Sequence, residues 1–151
     1  MKLVVAPELG PECASWLYKE WGHRVPSSSL AELTKRFLAR ANLDELPIAF
    51  VALRDGRPVG TTSLIVKEDP SDIYGPWVGS VFVPEIHRGM NIARQLIEAT
   101  ETEAAQLGFP KVWLSAAAPK MYEKIGYQLT GQHKHGEPIM VKQLLSVKTQ
   151  S

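Results

Sequence analysis

The sequence predicts a single mixed α/β domain with the element order ααβββαβαββ, and three observations predict it. Apolar runs of strand length alternate with stretches in which apolar residues return every three or four positions. One long amphipathic helix stands between strands, after a run of hairpin-like strands. The 151 residues contain no internal repeat and no low-complexity linker, so one domain over 1–151 accommodates them.

Each element has its own signal. Pro11–Trp21 reads as a first helix, with Ala14, Trp16, Leu17 and Trp21 apolar and Gly22 as the stop. Ser27, Ser28 and Ser29 offer an N-cap, and Glu32 follows Ser29 at the capping-box spacing. Leu30, Leu33, Phe37, Leu38 and Ala41 then mark a second amphipathic helix. Ile48–Leu53 is continuously apolar, as expected of a strand covered on both faces. Asp55-Gly56 predicts a hairpin turn, and Val59–Val66 returns from it.

A polar loop, Glu68–Asp72, leads to a strand at Trp77–Val83. The helix from about Asn91 to Leu107 places Ala93, Leu96, Ile97, Thr100, Ala104 and Leu107 on one stripe. Arg94, Glu98, Glu101 and Gln106 are expected on the other face. Gly108 and Pro110 end it. Val112–Leu114 reads as a short strand and Lys120–Ile125 as a short helix closed by Gly126. Tyr127 onward and Ile139–Leu144 supply the last two strands.

Composition narrows the function class. With 44% hydrophobic and 22% charged residues the chain has ordinary globular proportions. A net charge of +1 argues against a general nucleic-acid binder, which needs a strongly basic face. No run approaches 18 apolar residues and no leader pattern opens the chain, so a cytoplasmic protein without membrane association is expected. Cys13 is the only cysteine, which excludes an intramolecular disulfide, and its setting beside Trp16 and Leu17 reads as a structural thiol.

The most informative stretch is His87-Arg88-Gly89-Met90-Asn91-Ile92-Ala93, directly after Val81-Phe82-Val83-Pro84. A strand stops at a proline, a basic and glycine-bearing turn follows, and a long helix starts. The free N–H groups of a first helical turn and the positive end of the helix dipole suit a phosphate.

This turn, the element order and Tyr122-Glu123-Lys124-Ile125-Gly126-Tyr127 together resemble the GCN5-related N-acetyltransferase (GNAT) superfamily. The resemblance runs from Ile48 to Leu144, the expected core, and is sharpest from Trp77 to Tyr127. It implies a single-domain α/β (α+β) fold. A mixed, mostly antiparallel sheet of about six to seven strands would be flanked by helices on both faces. It also implies acetyl-CoA as cosubstrate, no metal, and a small-molecule or peptide amine as acceptor.

The family's acetyl-CoA signature is Gln/Arg-x-x-Gly-x-Gly/Ala. Arg88 fills its first place, Ala93 its last, and Asn91 stands where the middle glycine is usual. By resemblance, backbone groups of Arg88, Gly89, Met90, Asn91, Ile92, Ala93 and Arg94 would cradle the pyrophosphate. Val81, Phe82 and Val83 would offer a strand edge to the amide-rich pantetheine arm. Asparagine is the best replacement for glycine if only a left-handed backbone is needed. If the missing Cβ is what matters, Asn91 crowds the ligand.

Tyr122 is the catalytic candidate, since the matching family tyrosine commonly protonates the departing thiolate. A phenol of pKa about 10 keeps its proton at neutral pH, and a thiolate whose conjugate acid has pKa about 8.5 is a modest acceptor. Tyr127 occupies the family's aromatic core position and reads as packing.

The acceptor amine must also lose a proton. An α-amine needs roughly 1 kcal/mol at pH 7 and a lysine roughly 4–5, so a lysine-type acceptor wants a positioned base. Many relatives carry a glutamate on the strand matching Trp77–Val83, where this chain has Gly79 and Ser80. Glu68, Asp69, Asp72, His133 and His135 are all open as bases or substrate contacts. His133-x-His135 lacks the further ligands of a metal site. Trp21, Trp77 and Tyr74 are candidates for an acceptor wall or for core. A non-catalytic acyl-CoA sensor of the same fold is the rival reading, and stabilisation by acetyl-CoA without turnover would mark it.

Overall fold

Residues 1–22, 29–89 and 91–144 are described by the computed structural model. Met90, Ser27 and Ser28 from the readings above lie outside them. Ten principal elements occur in the expected order. They are α1 (Gly10–Trp21), α2 (Leu30–Leu38), β1 (Ile48–Arg54), β2 (Arg57–Ile65) and β3 (Trp77–Phe82). After these come α3 (Ile92–Gln106), β4 (Lys111–Ser115), α4 (Pro119–Glu123), β5 (Gln128–Lys134) and β6 (Glu137–Gln143). Short 3-10 turns at Leu3–Val5, Pro7–Leu9 and Glu85–His87 were not legible as periodic patterns.

The strands form one six-stranded sheet in the order β1-β2-β3-β4-β6-β5. Its neighbours run antiparallel except β3 and β4, which are parallel because α3 carries the chain across between them. Local chemistry sets the joints. Ser29 Oγ accepts from the Glu32 N–H at 3.1 Å, capping α2. Asp55 and Gly56 both take positive φ (53° and 77°), the requirement of the tight turn that joins β1 to β2.

Both faces of the sheet are covered, which explains the unbroken apolar run in β1. Ile48 and Phe50 pack with Ile92 and Leu96 of α3, whereas Ala49 and Val51 pack with Cys13, Leu17 and Phe37 of α1 and α2. A third cluster joins Val78, Val112, Leu114, Tyr127 and Met140 to Ile97 and Ala104 of α3. Cys13 is fully buried, and burial pushes its thiol up to about 12, so it is an inert core residue.

The α3 stripe differs from expectation at two positions. Leu107 is 38% exposed, and Glu101, expected on the polar face, is 9% exposed. Periodicity failed at Glu101 because distant partners cover it. Tyr127 donates its hydroxyl to Oε2 at 2.8 Å, and Lys142 Nζ donates to Oε1 at 2.9 Å. Glu103 is buried for the same reason, against Lys2 Nζ at 2.9 Å.

Candidate active site

An opening in the sheet organises the site. The parallel strands β3 and β4 pair only at Trp77 and Trp113 among the described residues. On β2 the partners step from Ser63 to Thr61, while on β3 they step from Gly79 to Phe82. One extra residue on β3 therefore makes a bulge, and Ser80 holds it with a φ of 52°. Past Trp77, β4 does not pair with β3, so Val81 and Phe82 keep a backbone edge that β4 does not take up. Val83 lies just past the strand, its side chain buried against α3.

The turn after β3 meets α3 at this opening. Gly60 on β2 lets the helix start press close, since a Cβ there would lie 2.9 Å from Leu96 and 3.0 Å from Ile92. Gly89 and Asn91 both have positive φ (87° and 58°), and Asn91 is the N-cap residue of α3. The left-handed backbone expected of a glycine is thus adopted by asparagine, whose side chain makes no capping hydrogen bond. Arg88 folds back on the turn: its Nε donates to the Val83 carbonyl at 2.9 Å and its guanidinium lies over Phe82. Arg94 pairs with Glu98 along the helix. Ile92 is core, and the half-buried Ala93 packs against the same cluster.

Tyr122 stands on α4, packed against the cluster beneath α3, with its ring edge-on to Tyr127. Burial, and then the nearby charge of Glu137, push its phenol above the ordinary value. No hydrogen bond to its hydroxyl forms among the described residues. Tyr127 is core, as expected, and burial followed by the Glu101 carboxylate drives its phenol far upward.

The opposite face of the opening carries charge. Val78 packs toward α3, so alternation turns Trp77 and Gly79 the other way. A cavity of about 310 Å³ lies there, lined by Asp72, Tyr74, Trp77, Gln132, His133 and Lys134. That volume is at the lower end of small-ligand sites. Tyr74 stacks on Trp113 with ring centroids 4.0 Å apart, and Trp77 is buried beneath Lys134, so each of these aromatics both packs and walls the cavity. Trp21 instead packs edge-on against Phe82.

Lys134 Nζ reaches Asp72 at 2.9 Å and Glu68 at 3.0 Å. Burial works against its charge, but these partners outweigh it and raise its pKa. Burial likewise pushes the Asp72 carboxyl up, and the Lys134 hydrogen bond with the Asp69 and Glu68 backbone donors overcomes it and lowers the group. His135 sits in the β5–β6 turn beside Asp69, at 3.0 Å.

Residues 10–127, well over half of the chain, match the sequence profile of the acetyltransferase (GNAT) family. This chain belongs to that family. Solved structures share the fold of this acetyltransferase. One is an aminoglycoside 6'-acetyltransferase type Ii, with a TM-score of 0.70, 20% identity, and coverage of 93% of this chain and 92% of that one. Another is an aminoglycoside 6'-N-acetyltransferase complexed with coenzyme A, with a TM-score of 0.70, 18% identity and 92% coverage of both chains. A third is the aminoglycoside 6'-N-acetyltransferase from Enterococcus faecium, with a TM-score of 0.66, 19% identity and 92% coverage of both. No curated protein matches the chain in sequence. Among the described residues no helix is long and apolar enough to cross a membrane.

One contributor to the candidate site was absent from the sequence reading. Arg40, just past α2, donates from Nη1 to Ser63 Oγ and Ser80 Oγ, each at 3.0 Å. It ties the bulge to β2 from below. Burial lowers its pKa, with the Glu68 charge opposing, and a guanidinium stays charged regardless. Only the fold joins residues 40, 63 and 80, so no local signal marked it. Arg40→Met strips the donor from two hydroxyls and is expected to cost about 1–2 kcal/mol in denaturant unfolding. An unchanged unfolding midpoint would refute the clamp.

Proposed function

We propose that this acetyltransferase moves the acetyl group of acetyl-CoA directly to a primary amine of a small molecule or peptide. The observation that carries the reading is the opening between β3 and β4. It has the α3 turn and Tyr122 on one side of the sheet and the charged cavity on the other. On this reading the donor approaches from the α3 side of the sheet and the acceptor from the side of the cavity.

The residues fit the donor. Positive φ at Gly89 and Asn91 shapes a turn whose N–H groups, with the α3 dipole, suit a pyrophosphate at about 0.3–1 kcal/mol per contact. The edge at Val81 and Phe82 suits the pantetheine amides. When bound, acetyl-CoA supplies an activated thioester. The chain's own groups supply the rest: a β3 N–H polarises the thioester carbonyl, and Tyr122 gives its proton to the departing sulfur. Because solved aminoglycoside acetyltransferases share the fold, aminoglycosides are the first acceptors to try.

The purified protein is expected to release CoA from acetyl-CoA with at least one member of a panel of aminoglycosides, polyamines and peptide amines. Thiol release followed in real time is the measurement. Thermal stabilisation by acetyl-CoA with no thiol release on any amine would overturn the transfer reading in favour of a sensor.

A further inference from the structure

We infer that Glu68, carried by the β2–β3 loop, is the carboxylate that takes the acceptor's proton. The inference rests on the transfer reading and assigns the base within it. From Trp77 to Phe82, β3 offers no titratable side chain, so a base has to come from another element. The structure places one there. A Cβ built on Gly79 would lie 2.5 Å from Glu68 Oε2, so the carboxylate fills the volume that a side chain at 79 would occupy. Gly79 is the last residue before the bulge, directly beside the opening between β3 and β4.

The loop holds that carboxylate in place from several sides. The Glu68 and Asp69 N–H groups donate to Asp72 Oδ2 at 2.9 and 3.0 Å, which fixes the loop's course. Lys134 Nζ holds Oε1 at 3.0 Å, leaving Oε2 against the strand. Neither of the loop's other acids is placed against Gly79: Asp72 Oδ2 takes those two N–H groups and Lys134, and Asp69 Oδ2 lies 3.0 Å from His135 Nε2 and 3.5 Å from Lys134 Nζ.

The proton balance closes. An acceptor ammonium gives one proton to Glu68 Oε2, which passes it to solvent. The freed lone pair forms the C–N bond to the acyl carbon as the C–S bond breaks, its electron pair going to sulfur. Nitrogen gives its second proton to water, Tyr122 gives one to the sulfur and takes one back from water, so amide, CoA thiol and one released proton are the products.

The test is turnover of a lysine-type amine, beside calorimetric titration with acetyl-CoA. Glu68→Gln is expected to lower kcat by about 100-fold, with acetyl-CoA affinity unchanged. Gly79→Ala, whose Cβ displaces the carboxylate, is expected to lower kcat by at least about tenfold. Returning a carboxylate from the strand in Glu68→Ala/Gly79→Glu is expected to recover activity over Glu68→Ala alone. Glu68→Gln with kcat within about threefold of the parent would overturn the assignment alone. A parent that binds acetyl-CoA but turns over no amine would overturn the transfer reading and Glu68 with it.

Discussion

Tyr122→Phe is expected to slow turnover by about 100-fold while acetyl-CoA affinity stays within about twofold. The size follows from general acid catalysis: about 100- to 10,000-fold for a positioned proton donor, and near the low end here because a thiolate leaves readily. The variant isolates the proton, since the ring that packs on Tyr127 is retained and no described partner of the hydroxyl is lost. Its melting temperature is therefore expected to match the parent's. Full activity in Tyr122→Phe would remove the acid assignment.

The pH dependence follows the same proton. Tyr122 donates only while protonated, and burial with the Glu137 charge raises its pKa above the ordinary phenol value. Its deprotonation is thus expected to reduce turnover only on the alkaline side, above about pH 10. Removing the charge in Glu137→Gln should move that loss to lower pH. A loss that moves upward, or that begins near neutrality in the parent, would exclude Tyr122 as the titrating donor.

Asn91 carries the second large effect. Its φ of 58° at the α3 N-cap is a conformation that costs most residues about 1–2 kcal/mol and asparagine less. Asn91→Val is accordingly expected to destabilise the fold by about 1–2 kcal/mol and to weaken acetyl-CoA binding by about tenfold, because it disturbs the turn's N–H array. Asn91→Gly keeps the backbone and is expected to bind within about twofold of the parent. Denaturant unfolding and calorimetric titration check the pair. Tenfold tighter binding by Asn91→Gly would show instead that the asparagine side chain crowds the pyrophosphate.

Much of the fold was legible because its signals are local. Capping of α2 by Ser29, the Asp55-Gly56 turn, the covered strand β1 and the left-handed turn before α3 each depend on residues a few positions apart. Glu101 was misplaced for the opposite reason, since periodicity sees the helix and not Tyr127 and Lys142, which are 26 and 41 residues away. The role of Arg40 was invisible on the same grounds, with its partners 23 and 40 positions distant.

By itself, the sequence determined the order of elements and the tight turns between them, because helix period and turn chemistry act within about ten residues. It also showed that β3 lacks an acid of its own. Only the tertiary structure decided where the sheet opens, that Arg40 clamps the bulge at Ser80, and which of the loop acids stands at Gly79. Those facts arise from contacts between segments that folding brings together, and no local preference encodes them.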